Sequence, residues 1–396
     1  MPLHIRTNTD SISQQNVVLI FLRMFSESAA SAQRVYSLCD VCQKLGLLPI
    51  IVSCCLDSSS KPPSQYYYYF SESTCSNKKL KNLKFLLGFN GFGTALRYFA
   101  ARNRIVDVII YSVCPILSVH FIKRFTRKKS IKLIFDVVEF QDFKSQTFKS
   151  FWLYYLGNIY INKIAIKKNA NVFAISKYLF RFFKAKGCNV VLLPFINSGN
   201  LFLERKGSTS SVAFLYAGFP GKKDQIVSMI RGFNLAASSF KESFVFYLAG
   251  PSPKDLFKLG LKNEDYKRSL SYCKYLGPVT LETVKGLYSI SDFSVLLKNQ
   301  KSRRSIADYP SKIVQSLGYG LPVISNLSSD LSECLEDGKN SIIVPDDSEE
   351  MFSLSVGRAL KMNLAEREAY RTSAYETSKR FFSPETYFTA LRGMLE

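Results

Sequence analysis

The sequence runs twice through the same alternation of short apolar segments and segments with helical periodicity. Apolar segments of this kind are typical of strands that are buried on both faces of a parallel sheet. Their alternation with helices predicts βαβ units with right-handed crossovers. The predicted strands cover residues 17–22, 48–54, 106–112, 132–138, 171–175, 190–194, 212–216, 243–248, 274–276, 293–297, 322–325 and 341–344. The fold class is therefore α/β, with two Rossmann-like domains whose ligand sites lie at the carboxyl ends of their strands.

The boundary between the two runs is also visible in the sequence. Residues 197–211 are rich in Ser, Gly and Thr and have no periodicity, which predicts the interdomain linker. The chain closes with a helical stretch over 364–395 that is broken near Pro384. The Tyr-rich stretch 57–80 is compatible with a loop or an edge strand.

The nine cysteines predict neither a disulfide framework nor a zinc site. Only Cys39 and Cys42 have a paired spacing, and they lie one turn apart on a predicted helix with no second pair and no nearby histidine. We therefore expect core thiols and a reducing, cytoplasmic compartment. The apolar run 17–22 is too short to span a bilayer and lacks the flanks of a signal peptide, so we expect a soluble or peripheral protein.

Charge is distributed unequally over the chain, whose net charge is +22. Residues 1–200 carry 27 Lys/Arg against 9 Asp/Glu, whereas 201–396 carry 26 against 22. A basic first half predicts either an anionic partner (a membrane surface, a phosphorylated acceptor or nucleic acid) or simply a solvated basic surface. Nucleic acid is the least favoured partner, since the chain lacks an aromatic–basic motif or a recognition helix. Residues 148–168 mix aromatic and basic side chains without an acid, which favours an anionic membrane.

The segment that carries the most chemistry covers residues 310–325, with the sequence PSKIVQSLGYGLPVIS. Pro310 and Ser311 open a helix whose free N–H groups can face an anion. Lys312 adds positive charge at this end, which opposes the helix dipole but suits a diphosphate. The residues alone are also compatible with an ordinary βαβ unit.

This segment resembles the P-S/T-K-hydrophobic-x-E signature of family 4 nucleotide-sugar glycosyltransferases of the GT-B fold. Further stretches are similar to the family in the same order along the chain. They are 29–46 and 171–176 in the first half, and 212–224, 275–279, 287–292, 328–331 and 337–340 in the second. The resemblance therefore extends over nearly the whole chain and is strongest after residue 212.

The resemblance implies a fold, a domain organisation and an activity. The two domains would face each other across a cleft, with residues 1–200 on the acceptor side, 201–375 holding the donor, and a C-terminal helix at 376–396 crossing back. The activity would be transfer of a sugar, with retention, from a nucleotide-diphosphate sugar to a glycan or lipid-linked acceptor in polysaccharide biosynthesis. No cofactor is expected and no metal, since no D-x-D-type carboxylate pair occurs at a strand end. The protein would be cytoplasmic or peripheral on the inner face of the membrane.

The family's functional positions map onto particular residues of this chain. The resemblance implies that Lys223, or alternatively Lys222, contacts the diphosphate, which Gly218 lets approach the backbone. Further implied donor-binding residues are Ser311, Lys312, Pro278, Val279 and Gln315. Arg303 and Arg304 are nearby polar groups that could face the sugar or the phosphates. The candidate catalytic groups are Asp308 on the donor side and Asp136 and Glu139 after an N-terminal strand, where a solvated loop carboxylate is the alternative.

The chain departs from the family in the paired glutamates of the donor site. Gln315 stands at the second glutamate, and Ala307 at the first, with Asp308 one place away. An uncharged Gln315 can still accept a ribose hydroxyl bond, although a weaker one. Two alternatives to the transferase therefore stay open: another enzyme on the same scaffold, such as an epimerase, and a degenerate, inactive homologue.

Overall fold

The computed structural model describes residues 15–22, 30–53, 66–70, 91–112, 114, 116–140, 156–197, 201–206, 211–220 and 223–395. Contacts within the chain divide it into two compact units, Met1–Ser198 with Tyr387–Glu396, and Gly199–Thr386. We predicted limits after residues 200 and 375. The second unit extends further because the helix Leu364–Phe382 packs on the helix Ser311–Gly318 within that unit.

The first unit contains a parallel sheet of seven strands in the order β3-β2-β1-β4-β5-β6-β7. Its strands are β1 Asn16–Leu22, β2 Leu48–Ser53, β3 Tyr67–Phe70, β4 Arg104–Tyr111, β5 Lys132–Val137, β6 Asn171–Ala174 and β7 Asn189–Leu192. Its helices up to the linker are α1 Ala30–Lys44, α2 Phe92–Arg102, α3 Ile116–Lys128, α4 Leu156–Ile159, continued by a π-helical turn at Tyr160–Ala165, and α5 Lys177–Ala185.

The second unit contains a parallel sheet of six strands in the order β10-β9-β8-β11-β12-β13. Its strands are β8 Val212–Ala217, β9 Phe244–Ala249, β10 Cys273–Gly277, β11 Phe293–Leu296, β12 Val323–Asn326 and β13 Ser341–Val344. The helices are α6 Ile226–Ser239, α7 Pro253–Lys258, α8 Asn263–Ser269, α9 Leu281–Ile290, α10 Arg303–Ala307, α11 Ser311–Gly318, α12 Glu349–Leu360 and α13 Leu364–Phe382. The last helix of the chain, α14 Pro384–Leu395, enters the first unit from residue 387 onward.

The core of the first unit is formed partly by this last helix. Leu391, Met394 and Leu395 are buried in the same apolar cluster as residues of β1 and α1. Lys132 of β5 donates a hydrogen bond of 2.8 Å to the Met394 carbonyl. Helix α14 is thus part of the hydrophobic core of the N-terminal sheet.

The sequence-based strands are confirmed to within two residues at each end, because apolar runs leave few alternatives in a buried sheet. The Tyr-rich stretch contains β3, an edge strand parallel to β2. Cys39 and Cys42 are buried in α1, as expected of core thiols, and burial raises the pKa of Cys42 to about 12. No described helix combines the length and apolar character that a membrane crossing requires.

Three neighbouring strands of the second sheet end in glycines with positive φ. Gly218, Gly250 and Gly277 follow or close β8, β9 and β10 at φ values of 125°, 122° and 61°. The Gly218 N–H donates to Ala249, and the Gly250 N–H donates to Gly277. A β-carbon on Gly250 would lie only 2.3 Å from the Gly218 carbonyl oxygen. Glycine at residue 250 therefore allows the backbones to pack closely at the carboxyl edge of the sheet.

Candidate functional site

A cavity of about 270 Å³ opens at the carboxyl ends of β8 and β11, within the second unit. Ligand sites of parallel α/β sheets lie at this edge. The lining residues are mostly cationic, anionic or aromatic, and they come from the loop after β8, the end of β11 and the α10–α11 connection. They are Phe219, Pro220, Lys223, Asp224, Leu296, Lys298, Arg304, Asp308, Tyr309, Pro310, Ser311 and Lys312.

The amino end of α11 forms one wall of this cavity. Pro310 is the N-cap residue, and no side chain caps the helix. Ile313 N donates back to the Pro310 carbonyl at 3.0 Å. An uncapped helix start in a cavity offers backbone N–H groups and the positive end of the helix dipole to an anion.

Lys312 holds a buried carboxylate beside that helix start. Its Nζ lies 2.8 Å from Asp224 Oδ2, which also accepts a 2.7 Å hydrogen bond from the Tyr216 hydroxyl. The Lys312 side chain is 25% exposed, whereas that of Asp224 is 3% exposed. A β-carbon on Gly218 would lie 2.6 Å from Lys312 Cε, so a larger residue at this position would displace the end of the lysine side chain. The ammonium group is thus fixed at the cavity with part of its surface open to a ligand.

Asp308 lies between two lysines on the other side of the cavity. Its Oδ2 accepts hydrogen bonds from Lys298 Nζ at 2.9 Å and from Lys223 Nζ at 3.2 Å. Burial alone would raise the pKa of Asp308, but the charges and hydrogen bonds of Lys223 and Lys298 outweigh it and lower this pKa to about 2. Asp308 is therefore an ionised, acceptor-only group at neutral pH.

Lys298 is a site residue that our sequence analysis missed. It lies two residues beyond the end of β11, and its backbone is fixed by Asn326 of β12. The Asn326 side chain accepts a hydrogen bond from Lys298 N at 3.0 Å and donates one to Lys298 O at 2.7 Å. Its backbone also forms an isolated antiparallel bridge with Asp224. The signal was present in the sequence, since a lysine at the carboxyl end of an apolar strand is unusual unless the lysine faces a partner or a ligand.

The structure brings some of the predicted donor-binding residues together and leaves others apart. Gly218, Lys223, Ser311, Lys312 and Arg304 surround the cavity together with Asp308. The others lie outside its lining: Arg303 is exposed on α10, Pro278 is exposed after β10, Val279 packs on an apolar cluster, and Gln315 is half-buried one turn after Ser311. Lys222 falls outside the described residues. The roles predicted for Pro278, Val279, Arg303 and Gln315 stay predictions.

Asp136, a predicted acceptor-side group of the first unit, does not face solvent. It is 1% exposed, and Arg34 of α1 donates to both of its oxygens, at 2.8 Å and 2.6 Å. Arg34 also donates to the carbonyls of Leu193 and Pro194, directly after β7. This geometry favours a structural ion pair over a proton-transfer group. The strand position was read correctly, but the partner 102 residues away was not visible in the sequence.

Glu139 lies two residues beyond the end of β5 and is half-buried. Its backbone carbonyl accepts a 3.2 Å hydrogen bond from Asn158 Nδ2. Of the two acceptor-side candidates it is the more accessible, and its catalytic role stays a prediction.

No protein-family model and no curated relative matches the sequence. Solved structures do match over nearly the whole chain. Sucrose-phosphate synthase from Thermosynechococcus elongatus is 12% identical with a TM-score of 0.71, and the match covers 96% of this chain and 98% of that one. HepE of Anabaena, solved with UDP and glucose, is 12% identical with a TM-score of 0.65 over 96% of this chain and 99% of that one.

WaaG, a glycosyltransferase involved in lipopolysaccharide biosynthesis, is 10% identical with a TM-score of 0.66, over 95% of this chain and 100% of that one. At such identities the likeness concerns the fold. The prediction of two Rossmann-like domains is confirmed by the two parallel sheets and by these neighbours. The chain has the GT-B fold of nucleotide-sugar glycosyltransferases.

Proposed function

We propose that the protein is a glycosyltransferase that takes a sugar from a nucleotide-diphosphate donor, with the diphosphate bound at the cavity of the second unit. The observation that carries the proposal is the convergence of Lys223, Lys312 and the uncapped start of α11 on one cavity. The fold neighbours support it, since HepE was solved with UDP and glucose and WaaG is involved in lipopolysaccharide biosynthesis. The acceptor we propose is a glycan or a lipid-linked sugar.

The chemistry of such a transfer asks little of protonating side chains. Negative charge develops on the departing diphosphate, and fixed cations and backbone donors stabilise it. Lys312, Lys223 and the first N–H groups of α11 are the groups of this chain that would do so. The two lysines are held by Asp224 and Asp308, which keeps them in place for the donor.

Replacement of Lys223 by alanine tests the diphosphate site. We expect the affinity for UDP, GDP or ADP, whichever binds best, to fall at least tenfold (about 1.4 kcal/mol), because an ammonium–phosphate bond is charge-assisted. Affinity for the corresponding nucleoside should change little. Isothermal titration calorimetry measures both.

Lys274→Ala is the matched control, since Lys274 is exposed on β10. Asp308 keeps Lys298 as a partner in Lys223→Ala, so the fold should persist. Equal diphosphate affinity in Lys223→Ala, Lys312→Met and wild type would rule out this site. Sugar transfer to an acceptor, rather than interconversion of the nucleotide sugar alone, separates the transferase from an epimerase.

We also propose that the first unit docks on an anionic membrane through a basic–apolar face. This face consists of α3 and residues 160–168, which Lys123 links by a hydrogen bond to the Ala165 carbonyl. Its exposed apolar side chains are Ile116, Leu117, Phe121 and Ile164, and its exposed basic ones are Arg124, Arg127, Lys128, Lys163, Lys167 and Lys168. Residues 148–155, which we also expected to contribute, lie outside the described residues. Exposed apolar side chains amid cations, without an acid, suit a headgroup layer.

Changing Lys163, Lys167 and Lys168 together to glutamine should weaken binding to vesicles. Each basic residue near an anionic surface contributes about 1 kcal/mol, so we expect at least a tenfold loss at low salt. Co-sedimentation with vesicles of phosphatidylglycerol and phosphatidylcholine measures it, and binding should fall as salt rises. The control changes Lys254, Lys258 and Lys262, exposed in the second unit, to glutamine. Vesicle binding that depends neither on lipid charge nor on Lys163, Lys167 and Lys168 would argue for a soluble acceptor.

A further inference from the structure

Lys298 is a buried ammonium group with unused hydrogen-bonding capacity. Its side chain is 4% exposed, and Asp308 Oδ2 is the one acceptor that the described residues offer its Nζ. An ammonium group carries three donors, and a buried charge is stable only when it is well satisfied. Because Lys298 also lines the cavity, a ligand there would complete its hydrogen bonds.

The two ends of the cavity differ in the chemistry they accept. At the Lys312 end, the helix start faces the cavity, and Asp224 lies beneath with its Oδ2 already bonded to Tyr216 and Lys312. That end attracts phosphate. At the Lys298 end, the Asp308 side chain is 12% exposed, against 3% for Asp224.

A carboxylate that reaches the cavity selects what can lie against it. It accepts hydrogen bonds and gives none, so it repels a phosphate oxygen and binds a hydroxyl group. A neighbouring ammonium group donates to the lone pairs of the same kind of ligand. A carboxylate and an ammonium group side by side therefore fit an uncharged molecule with adjacent hydroxyl groups.

The volume of the cavity also favours a sugar, rather than a whole nucleotide sugar, as the group that the Lys298 end encloses. The cavity of about 270 Å³ is smaller than the roughly 300–1,000 Å³ of sites that enclose a drug-sized ligand, so it holds only part of a nucleotide sugar. Lys298 is also far less exposed than Lys312, whose side chain is 25% exposed. The phosphate end is thus the more open one, and the Lys298 end is the interior.

We propose that Lys298 and Asp308 bind the hydroxyl groups of the sugar that the donor carries, and that Lys298 is a specificity-determining residue for that sugar. The proposal rests on the proposed function. It adds the residue that recognises the sugar, and it states that this sugar is uncharged. Lys223, which also bonds to Asp308, connects this pair to the diphosphate site.

The test compares each nucleotide diphosphate with its sugar conjugate in wild type and in Lys298→Met. The probes are UDP with UDP-glucose and UDP-glucuronate, ADP with ADP-glucose, and GDP with GDP-mannose. Wild type should bind one uncharged sugar conjugate more tightly than its parent diphosphate. In Lys298→Met this conjugate should lose at least tenfold in affinity, while the parent diphosphate stays within twofold.

Lys301→Met is the matched control, because Lys301 is exposed three residues further on. Asp308 keeps Lys223 as a partner in Lys298→Met, and a thermal melt checks that the variant is folded. Asp308→Asn also loosens Lys223, so it should lower affinity for the sugar conjugate more than affinity for the parent diphosphate.

The outcomes separate this proposal from the proposed function. An equal loss of affinity for UDP and UDP-glucose in Lys298→Met would make Lys298 a phosphate ligand and would overturn its role in sugar recognition. Unchanged affinity for both ligands would also overturn that role. Preference for UDP-glucuronate would overturn the uncharged class. Wild type that binds the diphosphates but gains nothing from the sugar would overturn this proposal alone, whereas wild type that binds none of the nucleotides would overturn the proposed function as well.

Discussion

Asp136→Ala is expected to lower the free energy of unfolding of the first unit by about 3–5 kcal/mol, because it leaves Arg34 as an uncompensated buried charge. Arg34 and Asp136 are 2% and 0% exposed in their side chains, so solvent screens their interaction little. The guanidinium also donates hydrogen bonds to the Leu193 and Pro194 carbonyls. These hydrogen bonds would be strained if the unpaired guanidinium moved toward solvent. Calorimetry should show a fall of about 10 °C in the melting temperature of the affected transition.

Two further variants decide what this loss means. Glu139→Ala removes a half-buried carboxylate three residues away and should cost less than about 1 kcal/mol. The double change Arg34→Met and Asp136→Leu removes both charges and should restore much of the lost stability, as apolar replacement of a buried ion pair often does. A stable Asp136→Ala protein that has lost only sugar transfer would instead assign Asp136 to catalysis.

Gly250→Ala is expected to destabilise the second unit by about 2–6 kcal/mol. The backbone at φ 122° belongs to a region that residues with a side chain rarely adopt, which costs roughly 1–3 kcal/mol. The added carbon would also lie 2.3 Å from the Gly218 carbonyl oxygen, so the backbone has to move, at a further cost of about 1–3 kcal/mol. Since Gly218 follows β8 next to Lys312, diphosphate affinity should fall in the same variant.

Gly277→Ala is the control for backbone strain alone. Gly277 has φ 61°, and a β-carbon there would meet nothing within 4 Å, so only the left-handed conformation is penalised, by about 1–2 kcal/mol. Chemical denaturation of both variants measures the difference. Equal losses at the two positions would show that close packing of the strand ends contributes little.

The fold was largely predictable because the sequence signals of its strands lie within each strand. Buried parallel strands are apolar runs, and all of them except the edge strand β3 were found from their composition. Two of the helices that we did not predict lack such a signal: α2 follows Gly91 without a side-chain cap, and α8 is only seven residues long and also has no side-chain cap. Helix α7 is only six residues long, but it does open with a capping box of Ser252 and Asp255 and with Pro253 at its first position. Helix α12 also carried a signal, since the Ser348 side chain accepts from Met351 N ahead of two glutamates.

The site was predictable where short sequence motifs supply its residues, as they do for Lys223, Ser311 and Lys312. Ser311 and Lys312 lie in a continuous motif and were found at the cavity. The pairing of Lys312 with Asp224 joins residues 88 positions apart, and it depends on the neighbouring strand ends of β8 and β11. Pairs of this kind follow from the order of strands in the sheet, which periodicity does not reveal.

The first unit is discontinuous in the chain, and this affects how it is made. Its core includes Leu391, Met394 and Leu395, yet the intervening residues 199–386 build a different unit. At roughly 5–20 residues per second, a ribosome needs about 10–40 s to synthesise that insertion. Throughout this time the nascent N-terminal sheet lacks the apolar side chains of Leu391, Met394 and Leu395 that complete its core. The first half to be translated is thus the second to be finished, and its folding depends on completion of the polypeptide.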